Sequence, residues 1–128
     1  MTCNDLLKSA TALVCERLDD GLAEDYTERA PYILAAFCSQ CKGVDASYRR
    51  AYQLPAITYS GKATLPLGET FPLVDELIPA ATYFLAAMLI LDENEKLSDK
   101  LMDLYTDSVA TLAASLPFIS ERIAQKYK

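Results

Sequence analysis

Three groups of residues in this chain have the types and spacing to do chemistry. Cys38-Ser39-Gln40-Cys41 has the Cys-x-x-Cys spacing shared by zinc sites and redox pairs. A zinc site needs four ligands, so a second pair or histidines should stand at metal spacing. The chain has no His, and its other thiols, Cys3 and Cys15, stand with eleven residues between them on a different predicted helix. As a redox pair the motif lacks the preceding strand and the helix N-terminus that lower a thiol pKa. The sequence places it near the negative C-terminal end of a helix, which raises the pKa. The competing reading is two small thiols at i and i+3 facing a core, since thiols bury readily.

The second group is acidic. Asp75, Glu76, Asp92, Glu93, Glu95, Asp99, Asp103 and Asp107 could serve acid–base or divalent-ion chemistry. Asp99, Asp103 and Asp107 recur every four residues and share one helix face, where like charges repel by a few tenths of a kcal/mol. Lys96 and Lys100 offset that repulsion, so the spacing predicts a solvated face, with an acidic strip toward a partner as the alternative. Acid–base catalysis by two carboxyls would need one of them in an apolar pocket, and no feature of the sequence points to that. The third group, Arg49-Arg50 with Tyr48 and Tyr52, is the one basic–aromatic cluster. One such dipeptide is thin support for nucleic-acid binding, and a surface helix or a contact to an acidic neighbour accounts for it as well. The four glycines stand singly, so no phosphate-cradling loop is present. The lack of His removes Ser-His-Asp and Cys-His sites as well as His-ligated metals. No catalytic, cofactor or metal residues are therefore assigned.

The elements that must hold these residues are predicted to be helical. With 52% apolar and 23% charged residues in 128, the composition is that of one globular domain spanning 1–128. Helix one is predicted over Asp5–Asp19, capped by Thr2 or Asn4 and striped by Leu6, Leu7, Ala10, Leu13, Val14 and Leu18. Helix two is predicted over Glu24–Lys42, with Thr27 as N-cap, Pro31 near its start and Lys42-Gly43 as its stop. A short helical piece follows over Asp45–Gln53, limited by Pro55. Residues 56–67 are β-branched and aromatic, with Gly61 in a turn-like setting. They predict a small hairpin, Ile57–Tyr59 against Ala63–Leu65, or an extended arm. An isolated hairpin is marginal in water, so this segment must pack on helices or on another chain.

Helix three, Asp75–Leu91, has apolar residues on nearly every side and so belongs at the centre. Its greasiest run, Leu77–Leu91, falls short of the roughly 20 residues a bilayer span needs. Helix four, Glu93–Ser115, should pack antiparallel to it across a short link. Pro117 then opens a short amphipathic tail, residues 117–128, around Phe118, Ile119 and Ile123. The expected fold class is thus all-α: a small bundle of about four main helices with a hairpin or arm in the middle. The start, Met1-Thr2-Cys3-Asn4-Asp5, lacks signal-peptide character, so the thiols are expected to be reduced. Acidic residues outnumber basic ones 18 to 12, for a net charge of −6, which argues against capture of nucleic-acid phosphates.

From Thr64-Leu-Pro-Leu-Gly-Glu-Thr-Phe-Pro-Leu-Val-Asp-Glu-Leu-Ile-Pro-Ala-Ala-Thr-Tyr-Phe-Leu-Ala-Ala-Met-Leu through Asp92-Glu-Asn-Glu-Lys-Leu-Ser-Asp-Lys-Leu-Met-Asp-Leu-Tyr105, the chain resembles the C-terminal half of head–tail connector (adaptor) proteins of tailed phages and prophages. The resemblance lies in a Leu-Pro-Leu turn, a Pro- and Ala-containing apolar helix with Tyr and Leu-Ala-Ala, an acidic link, and a helix with a mid-length Tyr. Cys38 and Cys41 are not part of that pattern. The resemblance implies a non-enzymatic assembly protein that forms a ring beneath the portal, with the portal, tail proteins and its own copies as partners. It implies no cofactor, no small-molecule substrate, no membrane and no sequence-specific nucleic-acid binding. The location implied is the virion, or the bacterial cytoplasm when expressed from a prophage. An acidic surplus suits a channel through which DNA slides without sticking. Segment position nominates Ile57, Tyr59, Lys62, Leu65, Phe118 and Ile119 as contact residues. The alternatives are a bacterial cytoplasmic helical interaction module that dimerises and, less favoured, a small Cys-x-x-Cys metal-binding protein.

Overall fold

Four helices account for most of the chain in the computed structural model, which describes residues 1–14 and 23–116. They are α1 (Cys3–Leu13), α2 (Ala23–Ala51), α3 (Ile78–Leu89) and α4 (Glu95–Ala114), with a single 3-10 turn, Asp75–Leu77, before α3. Helix α1 starts at a capping box: the Thr2 hydroxyl accepts from the Asp5 N–H, and the Asp5 carboxylate accepts from the Thr2 N–H. Of its predicted stripe, Leu6, Leu7 and Ala10 are buried, whereas Leu13 is exposed and Val14 half-buried. The predicted stretch from Cys15 to Asp19, Leu18 included, lies outside the described residues.

Helix α2 departs most from expectation. The two predicted pieces are one helix of 29 residues that runs straight through Gly43. Leu34, Phe37, Cys38, Cys41 and Asp45 are buried, and Val44 and Tyr48 half-buried, so one stripe at helical spacing continues across the glycine. That burial outweighs the roughly 1 kcal/mol a mid-helix glycine costs. The helix closes ten residues later. Gln53 takes φ 55°, its N–H donates to the Arg50 carbonyl, and the Leu54 N–H donates to the Arg49 carbonyl at 2.7 Å. This is the pattern of a Schellman cap, with Gln where glycine is preferred. Two small gains in stability follow. A Cβ at position 43 meets nothing within 4 Å, so Gly43→Ala should stabilise by about 0.5–1 kcal/mol. Gln53→Gly should gain a similar amount, about 0.5–1 kcal/mol, by relieving the left-handed backbone. Urea midpoints check both; a loss at position 43 would contradict the continuous helix. Thr27 lies inside α2 rather than capping it, and Pro31 is interior, its carbonyl accepting the Leu65 N–H at 3.0 Å.

Helix α3 is the centre, as its all-round apolar sequence implies. Ala80, Ala81, Phe84, Leu85, Ala86, Ala87 and Leu89 are buried among α1, α2 and α4. Pro79 sits in its first turn, where a missing N–H costs least. No side chain, Asp75 included, caps its start. Its alanines let α4 approach closely enough for the buried Ser98 hydroxyl to donate to the Ala87 carbonyl at 2.8 Å. Its C-terminal carbonyls, Leu89 at 2.7 Å and Met88 at 3.4 Å, accept from the guanidinium of Arg29 on α2, a cation placed at the negative end of the dipole. Helix α4 is capped by Asn94, whose side chain accepts from the Leu97 N–H.

Residues 52–74 form no hairpin. Among the described residues no strand ladder is present, and a single antiparallel bridge joins Thr2 to Thr70. The Ile57–Tyr59 and Ala63–Leu65 runs do not pair, because their anchors lie on the helical body instead. The Tyr59 hydroxyl reaches the Ala35 carbonyl at 3.5 Å, the Leu65 N–H binds Pro31, and residues 67–71 exchange backbone bonds with residues 1–4. The segment, called the arm below, is irregular and anchored on the helical body.

Candidate functional site

The thiol motif resolves into packing. Cys3, Cys38 and Cys41 are buried free thiols on α1 and α2. Because α2 continues to Ala51, the Cys-x-x-Cys pair is mid-helix rather than near a helix end. Burial pushes Cys38 up to about 12 and Cys3 up to about 11, and raises Cys41 as well. Among the described residues no group of three or more His, Cys, Asp or Glu is placed to hold a metal ion.

Cys3 and Cys38 hold their protons in the native chain while unfolded thiols ionise from about pH 8.5. The native state therefore binds more protons above that pH. The contribution of these thiols to stability is full below about pH 8.5 and falls as pH rises toward 11, by roughly 2 kcal/mol for each of Cys3 and Cys38 between pH 8 and 10. Urea midpoints across that range check this, and Cys38→Ala should flatten the decline. A slope unchanged in Cys38→Ala would contradict it.

The acidic ladder is a solvated face: Asp99, Asp103 and Asp107 are all exposed. Arg49 is no surface charge. Its Nε lies 3.0 Å from Oδ2 of Asp45, which is 2% exposed, and its two terminal nitrogens donate to the carbonyls of Pro55 (3.1 Å) and Pro72 (3.3 Å). The other Asp45 oxygen accepts the buried Val74 N–H at 2.8 Å. One ion pair on the last turns of α2 thus ties down both ends of the arm and the approach to α3. Asp45 and Arg49 stand four residues apart and Pro55 six further on, whereas Pro72 lies 23 residues from Arg49 and Val74 29 from Asp45.

Pinned this way, the arm presents a cleft of about 300 Å³ lined by Ala46, Arg49, Arg50, Leu54, Ala56 and Ile57. Of its lining, Leu54 and Ile57 are 44% and 41% exposed, and Tyr52, two residues before Leu54, is 50% exposed. The Tyr48 and Tyr52 rings meet at a tilt of 41° with centroids 4.7 Å apart, and Arg50 is exposed, with no ion pair among the described residues.

The nominated contact residues divide. Ile57 and Lys62 are exposed, and Tyr59 is half-buried. Leu65, 3% exposed, is a core residue that anchors the arm, and with Tyr59 and Lys62 it lines a shallow cleft of about 210 Å³. Phe118 and Ile119 lie outside the described residues. Sequence reasoning placed Tyr52 in the basic–aromatic cluster, not with the contact residues, and did not single out Leu54. The signal was there in two large apolar residues just after a helix end and before Pro55.

Comparison of the chain with protein-family models, with curated proteins and with solved structures finds no match. Among the described residues no helix is long and apolar enough to cross a membrane.

Proposed function

We propose that this is a non-catalytic assembly protein that resembles a phage head–tail connector and uses its arm to dock on a ring-shaped partner, the portal. The observation that carries this reading is the arm. It is an irregular segment fixed at both ends by the Asp45–Arg49 pair, and it presents Tyr52, Leu54 and Ile57 to water. Exposed apolar side chains gathered round a cleft mark contact sites. A preordered segment binds with less entropy to lose than a floppy one. The central α3 with its alanine-mediated contact to α4 supplies a rigid base for that arm.

The test is co-expression of the full chain with the portal protein encoded in the same genome, followed by negative-stain imaging. A particle with extra mass on the portal's tail-facing side is expected. Ile57→Asp should lose that mass while keeping its helix content. A portal that never carries this chain would refute the connector reading.

A further inference from the structure

The C-terminal half of α4 carries a face that the described residues leave partly open to water. Leu104, Asp107, Ser108 and Thr111 recur at helical spacing and, with Tyr83 of α3, line a cleft of about 310 Å³. Leu104 is 40% exposed there, and Tyr83 is half-buried. Just past this face the chain leaves the helix. Leu116 is 4% exposed, so at that point the chain lies against the body rather than pointing into solvent. Twelve residues follow, 117–128, outside the described ones, and their sequence supplies a complement to the cleft. Pro117 cannot continue α4 and suits the first position of a new helix. At helical periodicity Ile119, Arg122, Ile123, Lys126 and Tyr127 share one face, and Glu121 and Lys128 fall opposite.

We propose that residues 118–128 of the same chain fold back as a fifth helix along this face, with Ile119 and Ile123 beside Thr111, Tyr127 over Leu104 and Tyr83, and Lys126 paired with Asp107. The lengths agree. Asp107 precedes Leu116 by nine residues and Lys126 follows Pro117 by nine, so an antiparallel return sets them side by side. Residues 118–128 span about 16 Å as a helix, and Leu104 lies about 18 Å back along α4 from Leu116, within reach of the Tyr127 ring. Lys100, one turn before Leu104, lies beyond that span. The charges agree as well. Asp107 is exposed, with no ion pair among the described residues, and the docking face of the tail holds two bases and no acid. A helix this short is marginal alone in water, so the cleft is what stabilises it. The contact is intramolecular and independent of the reading of the arm.

The chain contains no Trp, so Tyr127→Trp in the full chain places a single fluorescent reporter on the tail. Its emission should be blue-shifted and resist acrylamide quenching, equally at every protein concentration. Adding Leu104→Asp should weaken docking about tenfold and move the emission toward that of a hydrated indole. Adding Asp107→Lys instead should weaken docking about threefold, and Lys126→Asp on top of it should restore most of that loss. Leu104 and Asp107 are exposed, and circular dichroism checks that the four-helix body is intact in each variant. The emission of a hydrated indole in the Tyr127→Trp chain itself would overturn the proposal, as would a blue shift that Leu104→Asp leaves unchanged. A blue shift that appears only as concentration rises would also overturn it, because the tail would then sit on a second copy. Loss of docking in Asp107→Lys that Lys126→Asp fails to restore would overturn the assigned pairing.

Discussion

Asp45→Ala is expected to destabilise the chain by about 3 kcal/mol, a large effect for one side chain outside the apolar core. Two losses add. Arg49, whose side chain is 16% exposed, is left without its carboxylate, and the buried Val74 N–H is left without its acceptor at 2.8 Å. A buried donor deprived of its partner alone costs about 1–3 kcal/mol. Asp45→Asn separates the two, because an amide oxygen can still accept from Val74 while the charge is gone. It should lie between wild type and Ala. Urea denaturation followed by circular dichroism gives both values. Equal losses for Ala and Asn would assign the whole effect to the charge, and no loss in either would show that the arm is held by something else.

Phe37→Ala should cost about 4 kcal/mol, at the upper end for a buried aromatic, because the ring is fully buried at the junction of every element that positions the arm. Its centroid lies 6.1 Å from Phe71, 5.9 Å from Phe84 and 6.0 Å from Tyr105, and the Phe84–Tyr105 pair closes at 5.0 Å. Removing it empties the space where α2, α3, α4 and the segment before α3 meet. The effect should be global, with one cooperative transition at lower urea. Tyr32→Ala is the control: that ring is 62% exposed on the same helix and should shift stability by less than about 0.5 kcal/mol. A Phe37→Ala loss near that of the control would mean the aromatic cluster is not the joint described.

What could be read from the sequence follows a physical division. The centrality of α3 was legible because an all-round apolar helix has one stable environment, and Ala80, Ala81, Phe84 and Leu85 are buried as that pattern requires. Thr2 as a cap was legible because capping is local. The stop at Gly43 was misread because a glycine's preference is worth about 1 kcal/mol and the stripe that runs from Cys41 across it to Asp45 and Tyr48 is worth more. The true end, at Gln53, carries no glycine to announce it. The hairpin was misread for a related reason. Its β-branched and aromatic residues satisfy a strand pattern, yet their backbone partners belong to Pro31 and to the first residues of the chain, far away in sequence.

The contact surface was half legible. Ile57 and Lys62, nominated from segment position, are exposed, but periodicity in an irregular arm does not say which side faces out, so Leu65 was counted with them although it is buried. Arg49 was visible as a charge and invisible as a staple, because two of its partners are backbone carbonyls, of Pro55 and Pro72.

Native-state hydrogen exchange on the full chain tests the central claim most directly: a rigid body organised around α3 holds out an arm made for contact. The α3 amides from Ala81 to Leu89 are expected to exchange only through global unfolding, with the free energy that urea denaturation gives. The amides of residues 56–63 should exchange far faster in the isolated protein. Exchange in α3 as rapid as in the arm, or an arm as protected as α3, would contradict this account.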